Sequence, residues 1–169
     1  MIFPYRFREG QKDLYEWIIK NVDKGNLCIQ APTGFGKTPI ILSSLLEKGK
    51  RIIWVVRTGT ETDRPIEELM EIVEKKNYDF KGISFRGKKD MCLYVKEKLL
   101  DRDLDYDDVS FFCERNRKNC PYYSNLKDFK FIPEKPLLYS EILEYSKRHG
   151  ICPYYYQRMI IPYMDVLSV

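Results

Sequence analysis

Residues 31–38 read APTGFGKT, and no other stretch of the chain limits the fold so tightly. The spacing is that of a phosphate loop, GxxxxGK[ST], with Ala31 in place of the first glycine. Such a loop needs a strand to deliver it and a helix to follow it. Backbone N–H groups around Gly34 and Gly36 then converge on one anion together with the positive end of the helix. The flanking residues meet that demand. Residues 27–31 (LCIQA) predict a short buried strand with Cys28 as a small core residue, and residues 39–48 (PIILSSLLEK) predict a helix that stops at Gly49. Thr33, Gly34, Phe35, Gly36, Lys37 and Thr38 are therefore expected to hold a nucleotide triphosphate. Lys37 would reach the β and γ phosphates, and the Thr38 hydroxyl would ligate Mg²⁺. Lys37 is the one residue to which a catalytic role falls.

Other segments extend the pattern. Residues 9–21 and 65–76 have helical spacing, whereas 51–56 (RIIWVV), 82–85 (GISF) and 165–169 (DVLSV) read as strands, the first of them buried on both faces. Helices alternating with apolar strands imply an α/β fold with a parallel sheet. From about residue 86 the character changes, as cysteines, prolines and tyrosines accumulate. Segments 91–100 and 140–148 predict short helices there, and the aspartate-rich residues 101–108 read as a solvated loop. The expected organisation is a P-loop lobe begun by residues 1–86, a small, mainly helical insert at 87–156, and a return to the lobe at 157–169. A chain of 169 residues has room for this and not for two motor lobes of about 150 to 250 residues each.

No apolar run approaches the roughly 18 residues of a membrane span, and the first residues lack signal-peptide order, which points to an intracellular protein. In such a compartment the five cysteines suggest metal binding or catalysis rather than disulfides. Four of them, Cys92, Cys113, Cys120 and Cys152, have the spacing C-x20-C-x6-C-x31-C. Structural zinc usually takes cysteines in close pairs, so wide spacing favours an iron–sulfur cluster, with zinc kept as the alternative. The word CPYY occurs twice, at Cys120 and at Cys152, and its proline biases the cysteine toward extended backbone. Its tyrosines could shield a cluster from water. His149, three residues before Cys152, is either a zinc ligand or polar helix surface. Twenty-nine basic against 25 acidic residues leave a net charge of +4, which suits a polyanion partner without requiring one. Arg115, Arg117 and Lys118 lie between two of the proposed ligands, where they could offset cluster charge or meet DNA phosphate.

The union of a P-loop with these cysteine words resembles the XPD-type superfamily 2 DNA helicases, the iron–sulfur helicases of nucleotide excision repair and their archaeal relatives. Arg8 and Gln11 (RxxQ) resemble the family's adenine-reading segment, APTGFGKT its motif I, and RIIWVVRT, ending in Arg57 and Thr58, its motif Ia. MCLY at Cys92 and CPYY at Cys152 resemble its first and fourth cluster ligands. The resemblance implies ATP and Mg²⁺ binding and a [4Fe-4S] cluster on the four cysteines, inserted in an incomplete RecA-like lobe. It further implies 5′-to-3′ movement on single-stranded DNA, a wedge role at fork DNA, backbone contacts by Arg57 and Thr58, and repair-complex proteins as partners, with no membrane involved. The location would be cytoplasmic in an archaeon or bacterium.

Two departures qualify this. Cys113 and Cys120 are farther apart than in some archaeal members, and no DEAH or DEAD box follows a strand. Without those carboxylates or a second lobe, the chain is expected to bind ATP without hydrolysing it or unwinding DNA. A DinG-like helicase fits the same stretch. The reading from another class is a non-enzymatic, zinc-bearing nucleic-acid-binding or regulatory subunit.

Overall fold

The computed structural model describes residues 1–98 and 104–169. Its first part contains α1 (Gln11–Asn21), α2 (Lys37–Glu47), β1 (Ile52–Trp54), α3 (Asp63–Lys76) and β2 (Gly82–Ser84). Then come α4 (Lys88–Met91), α5 (Leu93–Lys98), α6 (Tyr106–Asn116), α7 (Pro121–Asn125), α8 (Tyr139–His149) and α9 (Pro153–Ile160), followed by β3 (Val166–Ser168). The three strands form one parallel sheet in the order β1-β3-β2, with Val166 in register with both Ile52 and Gly82. The α/β, parallel-sheet reading holds. Gly82 is needed at its place in the sheet, because a Cβ there would stand 2.5 Å from Leu69 Cδ2 and 2.9 Å from the Val166 carbonyl.

Three apolar clusters hold these elements. Ile52, Val166 and Leu42 pack with Ile66, Leu69 and Ile72, which joins α2 and α3 to the sheet. Phe3, Tyr15, Ile18 and Ile40 join the N-terminal segment and α1 to α2. The third cluster runs from Ile83 of β2 through Met91, Ile142, Ile151, Tyr156 and Ile160 to Met164, so the cysteine-bearing region shares its core with the sheet. Leu137 even bridges to Ile83 as a further parallel rung. Each fully buried aliphatic side chain contributes about 1.5 to 3 kcal/mol.

Several expectations need correction. Residues 27–31 are not a strand: they alternate in exposure without joining the sheet, and Cys28 is exposed rather than a core residue. Strand character requires a paired neighbour, which an apolar run alone does not supply. β1 is not buried on both faces either, since it lies at the sheet edge with Ile53 71% and Val55 74% exposed. The acidic stretch 101–108 falls partly outside the described residues. Its remainder starts a helix: Asp105 caps α6 by accepting from Asp108 N at 2.8 Å, and Asp107 and Asp108 stand in the favourable first turn. The helix expected over 91–100 is broken at Cys92 into α4 and α5, its last two positions lying outside the described residues. Among the described residues no helix is long and apolar enough to cross a membrane.

Tyr156 offers a stability test. Its ring is buried beside Phe129 and Tyr145, and its hydroxyl has no hydrogen-bond partner among the described residues. Burial raises its pKa well above the ordinary phenol value. A buried hydroxyl left unpaired costs about 1 to 3 kcal/mol. Tyr156→Phe is therefore expected to leave stability unchanged or raise it by about 1 kcal/mol, seen as a rise of roughly 2 to 4 °C in a thermal melt. A loss of stability would show that the hydroxyl is paired.

Candidate nucleotide site and cysteine centre

The phosphate loop is shaped by two left-handed glycines, Gly34 at φ 80° and Gly36 at φ 85°. At Gly36 a Cβ would also stand 3.0 Å from Gln11 Nε2 and 3.1 Å from an Arg8 guanidinium nitrogen. α2 begins directly after it at Lys37, which places the helix N-terminus on the loop. Together they form one wall of a cavity of about 770 Å³ lined by Arg8, Gln11, Thr33, Gly34, Gly36, Lys37 and Thr38. Seven of the eight expected nucleotide residues thus share one cavity. Phe35 is the exception, because its ring packs into the cluster under α1 and α2 while its carbonyl serves the loop.

Arg8 and Gln11 brace this loop. An Arg8 guanidinium nitrogen donates to the Gly34 carbonyl at 2.8 Å, and Gln11 Nε2 donates to the Phe35 carbonyl at 2.6 Å. Gln11 Oε1 accepts from Arg8 N at 2.8 Å. With the Gln11 side chain only 3% exposed and both ends of its amide engaged, its evident work is to fix the loop rather than to present an open edge to a base. Lys37 Nζ donates to the carbonyls of Ala31 (2.9 Å) and Pro32 (3.0 Å), and it needs only to turn from them to meet a phosphate.

The far wall carries no sequence motif. Tyr5, Arg64 and Glu68 also line the cavity. Glu68 is 2% exposed, accepts from Tyr5 Oη at 2.7 Å and pairs with Arg64; the burial of the Tyr5 phenol and then its bond to Glu68 raise the tyrosine pKa above the ordinary range. A carboxylate inside an amphipathic helix gives no sequence sign that it turns inward, so only the packing reveals it.

Cys92, Cys113, Cys120 and Cys152 line a second, small cavity of about 20 Å³, together with Tyr94, Phe112, Arg117, Tyr123 and Tyr155. The two CPYY words supply matched halves of it. Cys120 (φ −76°, ψ 117°) and Cys152 (φ −74°, ψ 113°) are both extended N-caps, and each is followed by proline at the first helical position of α7 or α9. Cys152 N donates to the Tyr122 carbonyl at 2.9 Å, while the Tyr123 and Tyr155 rings meet edge to face at 4.8 Å. The outer tyrosines differ: Tyr122 bonds Glu97 and Tyr154 packs on Phe85. His149 stacks on Tyr145, with its Nδ1 2.9 Å from that residue's carbonyl, and is not in the cavity lining.

Burial raises the Cys92 and Cys113 pKa values and pushes that of Cys152 up to about 12, so these groups are thiols near neutrality unless a metal deprotonates them. Among the described residues no three His, Cys, Asp or Glu side chains come close enough to share one metal ion. Thiolates on one zinc, with bonds of about 2.3 Å, would have to crowd together. A cubane instead bonds each of four thiolates to a different iron, which spreads them around the cluster. Four thiols lining one cavity are a donor set that such a cluster could take.

The candidate DNA residues fall in two places. Arg57 and Thr58 are exposed after β1, and Thr58 caps the turn Gly59–Glu61, its Oγ1 donating to the Glu61 carboxylate at 3.0 Å. Arg115, Arg117 and Lys118 are exposed at the end of α6 and just beyond it. Arg117 donates to Tyr155 Oη at 3.1 Å and lies over the Tyr123 ring, whereas Arg115 lies over Phe111.

Comparison with known proteins finds relatives among DNA helicases. The general transcription and DNA repair factor IIH helicase subunit XPD of Schizosaccharomyces pombe is 24% identical over 99% of this chain, and the same-named protein of Dictyostelium discoideum 21% over 98%. The ATP-dependent DNA helicase XPD of Sulfolobus acidocaldarius is 27% identical over 89%. The chain spans about a quarter of the length of these curated relatives. The DEAD_2 family model matches residues 54–169, from the end of β1 through the cysteine centre to β3, and the chain therefore belongs to the DEAD_2 family.

Proposed function

We propose that this chain is the nucleotide- and cluster-binding part of an ATP-dependent 5′-to-3′ DNA helicase of XPD type that acts in DNA repair. The observation that carries the reading is one parallel α/β sheet bearing both a phosphate-loop cavity and a cavity lined by four cysteines. Lys37 binds the β and γ phosphates, Thr38 holds Mg²⁺, and Arg8 and Gln11 keep the loop in its receptive shape. Cys92, Cys113, Cys120 and Cys152 hold the cluster. When bound, the cluster supplies four iron–thiolate bonds that tie together α4, α6, α7 and α9. Arg117 and the Tyr123 and Tyr155 rings shield that centre, and Arg57 and Thr58 grip the backbone of single-stranded or fork DNA without reading bases. No DEAH or DEAD box follows a strand in these 169 residues, so they bind ATP without turning it over by themselves. The zinc-bearing subunit is the weaker reading, because the four cysteines lack the close sequence pairs that structural zinc usually takes.

Salt dependence tests the DNA part. Single-strand affinity is expected to fall steeply with salt, and Arg57→Ala is expected to flatten the log–log slope by about 0.7, the share of one phosphate contact. Affinity that ignores salt would overturn the reading.

A further inference from the structure

We propose that Arg86 is a positioning residue that transmits the placement of the cysteine centre to the DNA-gripping loop at residues 57–62. This rests on the function proposed above. Arg86 lies two residues beyond the end of β2, where the chain leaves the sheet for the cysteine-bearing region. Gln157, fully buried on α9 and five residues past Cys152, clamps both of its backbone groups. Gln157 Nε2 donates to the Arg86 carbonyl at 2.5 Å, and its Oε1 accepts from Arg86 N at 3.3 Å. The backbone of Arg86 is thus fixed by the helix that Cys152 caps.

Its side chain points the other way. The guanidinium lies 4.3 Å from the centre of the Tyr139 ring at the start of α8. One of its terminal nitrogens is 3.8 Å from an Asp63 carboxylate oxygen at the first residue of α3. The other fills the space beside Gly59, where a Cβ would stand only 2.4 Å from it. Gly59 opens the turn that Thr58 caps, and Asp63 follows its end. One residue therefore touches two helices of the cysteine-bearing region and both ends of the turn that presents Thr58.

The pairing is incomplete. Arg86 Nε and Asp63 Oδ1 are buried without a partner among the described residues, although the Arg86 side chain is only 13% exposed. A buried ion pair with free polar atoms is a poor source of stability, and an apolar residue would fill the space at less cost. What the guanidinium supplies is a reach and a direction: it holds the turn at a set distance from α9.

In the cluster-loaded protein, Arg86→Ala is expected to weaken single-stranded DNA binding about three- to tenfold and to flatten its salt slope, with the visible absorbance of the cluster and ATP affinity unchanged. Arg86→Lys, which keeps a charge able to reach Asp63, is expected to restore most of the affinity. Asp63→Asn, isosteric, and Gly59→Ala, which displaces the guanidinium from the turn side, are expected to give the same defect. Either combined with Arg86→Ala should add nothing further, since all act on one contact. These two variants keep the inference open to failure if Arg86→Ala does not fold. Unchanged affinity and slope in the folded variants, against clear binding by the wild type, would overturn this inference alone. A wild type that binds no single-stranded DNA would overturn the proposed function, and this inference with it.

Discussion

Protein purified without oxygen is expected to be brown, to carry about four irons with matching sulfide, and to lose nearly all of both on Cys152→Ser. The choice of Cys152 follows from its setting. It is the most buried of the four, it caps α9, and its amide is tied to the Tyr122 carbonyl of the other CPYY word. A serine oxygen in that place is a poorer match for iron, and the remaining three thiols cannot complete a cubane with four protein ligands. The loss should reach beyond the metal. The same stretch of chain buries Leu126, Ile142, Ile151 and Tyr156, but α7 is five residues long and buries none of its own, so ligand bonds would supply much of its order. Cys28→Ser, at an exposed thiol outside this lining, should change neither iron content nor absorbance. A colourless wild type with one zinc would overturn the cluster assignment.

Lys37→Ala is expected to reduce ATP affinity by about 30- to 100-fold while leaving the fold intact. A charge-assisted hydrogen bond contributes about 1.5 to 3 kcal/mol, and the ammonium would make more than one to the β and γ phosphates. The protein itself loses little, because Lys37 Nζ bonds only two loop carbonyls at a partly exposed site. Titration calorimetry with ATP and Mg²⁺ measures the change, and an unshifted thermal melt shows that folding is spared. Affinity within threefold of the wild type would place the triphosphate elsewhere.

The sequence already displayed the parts of both sites that depend on short-range chemistry. GFGKT carries its geometry within itself, since left-handed glycines and a following helix need no distant partner, and the repeated CPYY sets the same cap twice for the same local reason. What stayed hidden depends on neighbours remote in the chain. LCIQA has strand composition but, among the described residues, no strand pairs with it, and Cys28 is exposed. Gln11 reads as part of an adenine-reading segment until Phe35 and Arg8 are seen to occupy its amide. Glu68 reads as helix surface until Tyr5 arrives from 63 residues away. The helices α6, α7 and α9 escaped notice because their apolar faces are aromatic and short, without the aliphatic period that marks α3.

The order β1-β3-β2 puts the latest strand between the two earlier ones. β1 and β2 are therefore never partners of each other, and a ribosome that has released both has not yet released the segment that joins them. The nascent lobe must wait, its edges unpaired, until residues 166–168 emerge and are carried back across the whole cysteine-bearing stretch. Closing so long a loop is slow when the stretch is loose, and the delay shortens when it is already compact. The compactness of that intervening stretch would then set how long an open sheet edge stays exposed to aggregation.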